Sequence, residues 1–129
     1  MICVDTTVWV AAFSDSAGPE ARHLARLMRS KAMVMPSPVR VELLAGASGE
    51  SLGPLRARFS ALPQAVPDQA AWDRIEEWLA TAVAAGQRFS LADLLIAATA
   101  AEHGASVWSL DADFERMRRL GFVELYAAP

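Results

Sequence analysis

Short apolar runs alternate along the chain with longer segments in which apolar residues recur at steps of three or four. The short runs predict strands at 2–5, 32–35, 106–110 and 122–126. The longer segments predict helices at 6–13, 20–29, 37–47, 51–62, 67–86, 91–103 and 112–120. Because strands alternate with helices, we expect an α/β fold with a mostly parallel sheet, formed as a single domain over residues 1–129.

For two of the predicted helices, the sequence also predicts which residues are buried or where the helix begins and ends. The helix at 67–86 should bury the large apolar residues that share one face, namely Trp72, Ile75, Leu79 and Val83. The helix at 91–103 is apolar almost all round, so we place it at the centre of the fold. Ser90 and Asp93 resemble a capping pair at its start, and Gly104 is expected to end it.

Composition narrows the class of protein. The chain is 53% hydrophobic, which excludes disorder, and its one cysteine, Cys3, cannot form an internal disulfide. No run approaches the roughly 18 apolar residues of a membrane span, and the start lacks the basic segment of a signal peptide. We therefore expect a cytoplasmic protein.

The net charge of −3 argues only weakly against a nucleic-acid substrate, because each bound divalent ion adds two positive charges.

Several acidic residues occur where a ligand site is expected in such a fold. Asp5 ends the first predicted strand, and Asp111 and Asp113 follow a later one. Right-handed crossovers bring the carboxyl ends of parallel strands to one edge of the sheet, where ligands bind. Each of these residues is also an ordinary helix cap, although two acids after one strand exceed what a cap requires.

Two further acids lie on predicted helices. Glu42 precedes the small residues Ala45 and Gly46, which leave room beside it, although most glutamates on helices simply face solvent. Asp93 shares a face with apolar residues, and a buried carboxylate without a partner is costly. Clustered carboxylates repel one another unless a cation neutralises them, so the group as a whole predicts a site for a hard divalent ion.

These segments resemble the motifs of PIN-domain ribonucleases, in family order from Ile2 to about Phe122. The matching segments read ICVDTTVW at 2–9, VELLAGA at 41–47, LADLLIAATA at 91–100 and SLDADF at 109–114. Within the family, the chain is similar to the VapC toxins of bacterial toxin–antitoxin pairs. The resemblance implies a three-layer α/β/α sandwich, Mg²⁺- or Mn²⁺-dependent hydrolysis of RNA, a homodimer and a small VapB-type antitoxin partner.

The resemblance also suggests a role for each candidate residue. Asp5 and Asp93 are the expected metal ligands. Glu42 and either Asp111 or Asp113 complete the catalytic set. Thr7 and Ser109, where the family more often has Ser and Thr respectively, are expected to orient the ligands through their hydroxyls.

Basic residues are the expected contacts to the phosphates of RNA. Arg88, which precedes the central helix, is the main candidate for substrate binding. Arg22, Arg26 and Arg29 share one helix face, and Arg116, Arg118 and Arg119 form a second group near the acids. A solvated helix face is the simpler interpretation of either group.

Two other functions remain open at this point. One is an aspartyl phosphotransferase with Asp5 as the attacking carboxylate, but such sites usually need a lysine and the chain has only Lys31. The other is a PIN-like binding module that has lost catalysis, although all four acidic positions are filled. Apolar residues on the helices at 37–47 and 51–62 exceed one buried stripe each, which favours partner surfaces.

Overall fold

The computed structural model of the protein describes residues 1–129 and places four strands in one sheet. The strands are β1 (Ile2–Val4), β2 (Met33–Pro36), β3 (Gln64–Ala65) and β4 (Ser106–Trp108). Their order across the sheet is β3-β2-β1-β4, and every neighbouring pair is parallel. The predicted α/β class with a mostly parallel sheet is confirmed.

Seven helices connect and cover these strands. They are α1 (Thr6–Ser14), α2 (Pro19–Arg29), α3 (Ser37–Ala45), α4 (Gly49–Ser60), α5 (Gln69–Ala84), α6 (Leu91–Glu102) and α7 (Ala112–Arg119). Even α5, the longest, has only 16 residues, and none of the helices has the length and apolar character needed to cross a bilayer.

The order of the strands explains the three layers. The chain moves from β1 to β2 to β3 in one direction and then returns to place β4 on the other side of β1. Right-handed crossovers therefore put α1 and α2 on one face of the sheet and α5 and α6 on the other. Helix α6 contacts β1, β2 and β4 and packs against α5 and α7. Because its side chains from Ile96 to Ala100 are buried, α6 is the central helix, as predicted.

Caps fix where the central elements begin and end. The backbone N–H of Asp93 donates to Ser90 Oγ at 3.1 Å, which starts α6 as predicted. Gly86 and Gly104 follow α5 and α6 with φ of +67° and +61°, a conformation that L side chains rarely adopt. Both helices therefore end close to the glycines that the sequence indicated.

Two predictions about the elements are wrong. Helix α5 buries Ala71, Ile75, Trp78 and Ala82, whereas Trp72, Leu79 and Val83 are exposed. Trp78 stacks on Phe122 with ring centroids 4.5 Å apart, and this contact distant in sequence sets the rotation of the helix. Residues 122–126 form no regular strand: Val107 and Leu125 make one isolated parallel bridge. The sequence pattern also missed β3, whose two residues are too few to show alternation.

Candidate active site

The pairing of β1 with β4 brings together residues that lie far apart in the sequence. Val4 is opposite Trp108, so the residues that follow, Asp5 and Ser109, leave the sheet side by side. The backbone N–H of Asp5 also donates to the Trp108 carbonyl at 2.9 Å. The carboxyl ends of β1 and of its neighbour β4, at the edge of the sheet, therefore form the floor of the candidate site.

The Asp5 side chain is buried, and one of its oxygens is fully engaged by the chain. Asp5 Oδ2 accepts hydrogen bonds from Thr7 Oγ1 and Ser109 Oγ, both at 2.7 Å, and from the Thr7 backbone N–H at 3.4 Å. These bonds also make Asp5 the N-cap of α1. The other oxygen, Oδ1, accepts no hydrogen bond within the chain, so it is free to bind a ligand.

The two hydroxyl residues are themselves held in place. Thr7 Oγ1 accepts from the Leu110 backbone N–H at 3.0 Å, and Ser109 Oγ accepts from the Asp111 backbone N–H at 2.9 Å. The turn after β4 is thereby joined to the start of α1. Thr7 and Ser109 both contact Asp5 directly, in the arrangement expected for residues that orient a metal ligand.

Three partly buried acids converge beside Asp5. Each of Asp93, Asp111 and Asp113 offers a carboxylate oxygen, and these oxygens lie within 4.8 Å of one another. Asp93 comes from the first turn of α6, whereas Asp111 and Asp113 come from the start of α7. Asp111 caps α7 by accepting from the Asp113 backbone N–H at 2.9 Å, as one of the pair was expected to do.

The surroundings of Asp93 favour its neutral form. Burial raises the pKa of the Asp93 carboxyl from 3.8 to about 6, and the negative charges of Asp5, Asp111 and Asp113 add to the effect. The Ser90 hydroxyl lowers this pKa in part. A divalent cation at the cluster would reverse the balance, because it favours the ionised carboxylates.

Arg116 supports the cluster from one side. Its Nη2 donates to Asp113 Oδ1 at 2.8 Å and to the Arg88 carbonyl at 3.1 Å, and its Nη1 donates to Gln87 Oε1. Its guanidinium carbon also lies 4.4 Å from the ring centroid of Phe89. Arg116 thus ties α7 to the 87–89 segment that leads into α6. This role of Arg116 was not predicted, although the three-residue spacing of Asp113 and Arg116 is typical of a helical ion pair.

Glu42 lies outside the group of three acids. Its Oε1 accepts from Thr6 Oγ1 at 2.9 Å, which places it beside the residue that follows Asp5. Glu42 and Thr6 line a cavity of about 460 Å³ between α1, α3 and α4. Val10, Phe13 and other apolar side chains form much of its wall. Glu42 therefore flanks the site from the side of α3.

The arginines that are candidates for binding phosphate differ in whether their side chains already have partners within the chain. Arg88 is exposed on the segment before α6, and only its backbone carbonyl is engaged. Arg116 forms an ion pair with Asp113, and Arg118 and Arg119 form ion pairs with Glu115. All three arginines of α7 therefore already have acidic partners within the chain. In contrast, none of the four ion pairs in the structure involves Arg22, Arg26 or Arg29.

Comparison with known proteins agrees with this geometry. The sequence pattern of the PIN domain matches residues 2–120, nearly the whole chain. This chain belongs to the PIN-domain family. Ribonuclease VapC11 of Mycobacterium tuberculosis is 33% identical to it over 125 residues, which cover 93% of each chain.

Solved structures of toxin–antitoxin complexes contain chains with the same fold. VapBC2 from Rickettsia felis, bound to a DNA fragment from its promoter, has a TM-score of 0.79 at 20% identity over 98% of both chains. A toxin–antitoxin complex from Klebsiella pneumoniae has a TM-score of 0.69 at 18% identity and covers 87% of this chain and 88% of that one. The motifs at 2–9, 41–47, 91–100 and 109–114 fall inside the matched residues.

Proposed function

We propose that this PIN domain is a metal-dependent endoribonuclease, the toxin of a toxin–antitoxin pair, which hydrolyses phosphodiester bonds of RNA. The observation that carries the proposal is the convergence of Asp93, Asp111 and Asp113 beside Asp5 at the carboxyl edge of a parallel sheet. The ribonuclease names of the VapC relatives support the same reaction.

The donor set fits a hard divalent ion. All the candidate ligand atoms are carboxylate oxygens, which Mg²⁺ and Mn²⁺ prefer, and no histidine or cysteine belongs to the cluster. Asp5 and Asp93 would hold the ion, together with either Asp111 or Asp113. Such an ion would supply positive charge that offsets the charge on the phosphate, and it would lower the pKa of a water molecule so that hydroxide is available as the nucleophile.

The protein residues then have separate tasks. Thr7 and Ser109 fix Asp5 so that its free Oδ1 keeps one direction. Glu42 would position a water or a second ion from the side of α3. Arg88 would contact a phosphate of the RNA, since its side chain is exposed without a partner and its backbone carbonyl accepts from Arg116, which also binds Asp113. In-line hydrolysis would leave products with 5′-phosphate and 3′-hydroxyl ends, as the family resemblance implies.

An exposed apolar patch supports the proposed homodimer. Val41 on α3, Trp72 on α5 and Leu91 on α6 are 64%, 44% and 58% exposed, and they line one shallow depression. Because exposed apolar surface of this kind marks partner sites, we assign the patch to a two-fold contact with a second copy. Light scattering should show a dimer for the wild type and a monomer for Val41→Asp.

The cavity between α1, α3 and α4 is the proposed place of a VapB-type antitoxin. Its apolar wall includes Val10, Phe13 and Leu55, and it is also lined by Glu42 and by Thr6, the residue next to Asp5. An apolar segment of the antitoxin would fill the cavity, and an arginine on it would match the carboxylates. Phe13→Glu should therefore release the antitoxin in a pull-down without lowering RNA cleavage.

The fold argues against the alternative function of an aspartyl phosphotransferase. Lys31 precedes β2, so it lies at the amino edge of the sheet, opposite the edge that carries the acids. It cannot neutralise a phosphate on Asp5, which a phosphotransferase would need.

Cleavage of a fluorescent RNA hairpin by the purified protein tests the proposed function. We expect cleavage with Mg²⁺ or Mn²⁺, none with EDTA, and loss of activity in Asp5→Asn. Asp73→Asn, which makes the same charge change at an exposed position of α5, should remain active. Full activity of Asp5→Asn, or cleavage that EDTA does not stop, would contradict the proposal.

A further inference from the structure

A second pocket adjoins the acidic site on the side away from Glu42. Its volume is about 370 Å³, and α2, the turn after β4 and the C-terminal segment form its walls. The lining residues include Glu20, His23, Ser109, Leu110 and Tyr126. Because Ser109 both lines this pocket and donates to Asp5 Oδ2, the pocket is one side chain away from the proposed metal ligands.

The rings of His23 and Tyr126 form an aromatic surface in this pocket. They stack with centroids 5.6 Å apart and an interplanar angle of 14°, and Trp108 meets both of them edge-on. Leu110, which is 53% exposed, adds an apolar contact at the rim. Aromatic and apolar groups beside a nuclease site favour the stacking of an unpaired base.

The hydrogen bonds of this pair leave one donor free. Arg26 Nη2 lies 3.1 Å from His23 Nδ1 and can only donate, so Nδ1 is the acceptor. In the neutral imidazole the proton is then on Nε2, which donates to the Tyr126 hydroxyl oxygen at 2.6 Å. The hydroxyl hydrogen of Tyr126 has no acceptor in the chain, so it can donate to a ligand.

The charges around the pocket distinguish a base from a phosphate. Glu20 is in the wall, and no lysine or arginine lines the pocket, so a phosphate inside it would be repelled. Next to it on α2, a groove of about 400 Å³ is lined by Arg22, Arg26 and Arg29, which form no ion pair. Phosphates are favoured in this arginine groove, and a base with N–H donors is favoured in the pocket.

We propose that the His23–Tyr126 pocket holds a base of the RNA substrate next to the bond that is cut, while the arginine groove of α2 holds phosphates that lead to it. The proposal rests on the proposed ribonuclease function and adds to it a path for the substrate. It assigns specificity to residues outside the acidic motifs, on α2 and in the C-terminal segment.

Binding of a labelled RNA tests the pocket. The probe is a fluorescein-labelled, single-stranded RNA of twelve nucleotides containing all four bases, followed by anisotropy in EDTA at several salt concentrations. His23→Ala and Tyr126→Ala should weaken binding about tenfold, as expected for the loss of one stacked base. Tyr126→Phe keeps the ring and should weaken binding about threefold, through loss of one hydrogen bond.

Salt dependence separates the pocket from the groove. Arg22→Ala with Arg29→Ala should reduce the slope of log affinity against log salt by about one to two units, because two phosphate contacts are lost. Arg26 is left intact because it bonds to His23. The pocket variants should keep the wild-type slope. Arg56→Ala, which removes an exposed positive charge from α4, is the matched control and should change little.

A probe without bases completes the test. Inorganic polyphosphate of about the same length should bind the His23→Ala variant as tightly as the wild type, because it engages only the groove. Equal loss of RNA and polyphosphate binding, or no loss of RNA binding in His23→Ala and Tyr126→Phe, would overturn the proposal. If the wild type cleaves RNA while these variants are unchanged, only the pocket assignment fails. If the wild type neither binds nor cleaves RNA, the proposed function itself fails.

Discussion

Asp5 lies beside the group of three acids that includes Asp93, but the chain surrounds the carboxylates of Asp5 and Asp93 differently. Asp5 is buried and one of its oxygens accepts three hydrogen bonds, from the two groups of Thr7 and from Ser109. Asp93 is only half-buried, yet its pKa is raised to about 6 by burial and by three neighbouring carboxylates. The chain thus fixes the direction of Asp5 by itself, whereas Asp93 has a destabilised charge until a cation binds.

The difference indicates how such a site can exist in a stable fold. A cluster in which every acid resembled Asp93 would repel itself strongly without metal. Capping α1 with Asp5, capping α7 with Asp111 and pairing Asp113 with Arg116 give three of the acids a structural partner. The remaining cost of the metal-free state is concentrated on Asp93.

The largest expected effect is the loss of activity when either acid is neutralised. Asp5→Asn and Asp93→Asn should each lower the rate of metal-dependent RNA cleavage on the order of a thousandfold or more, since each removes a proposed ligand. The two should differ in stability without metal. Asp93→Asn should raise the melting temperature in EDTA at pH 8. Asp5→Asn should not, because an amide oxygen accepts the hydrogen bonds from Thr7 and Ser109 less strongly than a carboxylate does. Equal stability changes in both variants would remove the contrast between the two acids.

The hydroxyls around Asp5 should have the next largest effect. Ser109→Ala removes a donor to Asp5 Oδ2 and an acceptor for the Asp111 N–H. We expect cleavage to fall about 10- to 100-fold, as is typical when the partner of a metal ligand is lost. Ser109→Thr, which keeps the hydroxyl, should retain most of the activity. The measurement is the cleavage rate at increasing Mn²⁺ concentrations, and identical curves for Ser109→Ala and wild type would argue against the assigned role.

Arg116 should have the next effect, because it supports Asp113 and the segment that leads into the helix of Asp93. Arg116→Gln removes the ion pair to Asp113 and the bond to the Arg88 carbonyl, so the 87–89 segment loses its tie to α7. We expect about a tenfold loss of activity, with a larger effect on the Mn²⁺ requirement than on the rate at saturating Mn²⁺. Arg118→Gln, which breaks an exposed pair with Glu115 on the same helix, is the control. A loss of similar size in both variants would indicate that only the helix surface matters.

The smallest expected effect is a pH dependence of stability without metal. The folded pKa of Asp93 lies above its ordinary value of 3.8, so the folded state holds a proton that the unfolded state releases between about pH 4 and 6. This contribution to stability is lost as the pH rises through that range. The melting temperature of Asp93→Asn minus that of the wild type should therefore grow by a few degrees from pH 4 to pH 8 in EDTA.

Adding metal should reverse the sign of that difference. Mn²⁺ should stabilise the wild type more at pH 8 than at pH 5.5, because it competes with the proton on Asp93. The Asp93→Asn variant should gain little at either pH. Thermal unfolding with and without Mn²⁺ gives the four stability gains, one for each of the two proteins at each of the two pH values. A variant that gains as much as the wild type would show that Asp93 is not part of the metal site.

Local signals in the sequence were sufficient for the seven helices, for three of the four strands and for the edge of the sheet that carries the site. Apolar runs identified β1, β2 and β4, and the acid after each of two parallel strands fell at the same edge because parallel pairing requires it. Ser90 and Gly104 marked the ends of α6 through ordinary capping chemistry. Repulsion within the cluster was also expected, although burial proves to be the larger cause of the raised Asp93 pKa.

Features that depend on contacts between distant residues were not predictable. Helix α5 is rich in alanine, so its pattern allows more than one buried face, and the stacking of Trp78 on Phe122 selects the actual one. The His23–Tyr126 pair joins α2 to the C-terminal segment and leaves no trace in either local sequence. The position of Glu42, bonded to Thr6 and outside the three converging acids, likewise needed the packing of α3 against α1.

The most direct test of the account is the location of Mn²⁺ by anomalous X-ray scattering in crystals grown at pH 8. If these acids hold the metal, a peak is expected about 2 Å from an oxygen of Asp93 and from Asp5 Oδ1, with Asp111 or Asp113 as a further ligand. The peak should disappear in Asp93→Asn crystals of the same form. A peak away from these acids, or no peak in a protein that Mn²⁺ activates for RNA cleavage, would contradict the account.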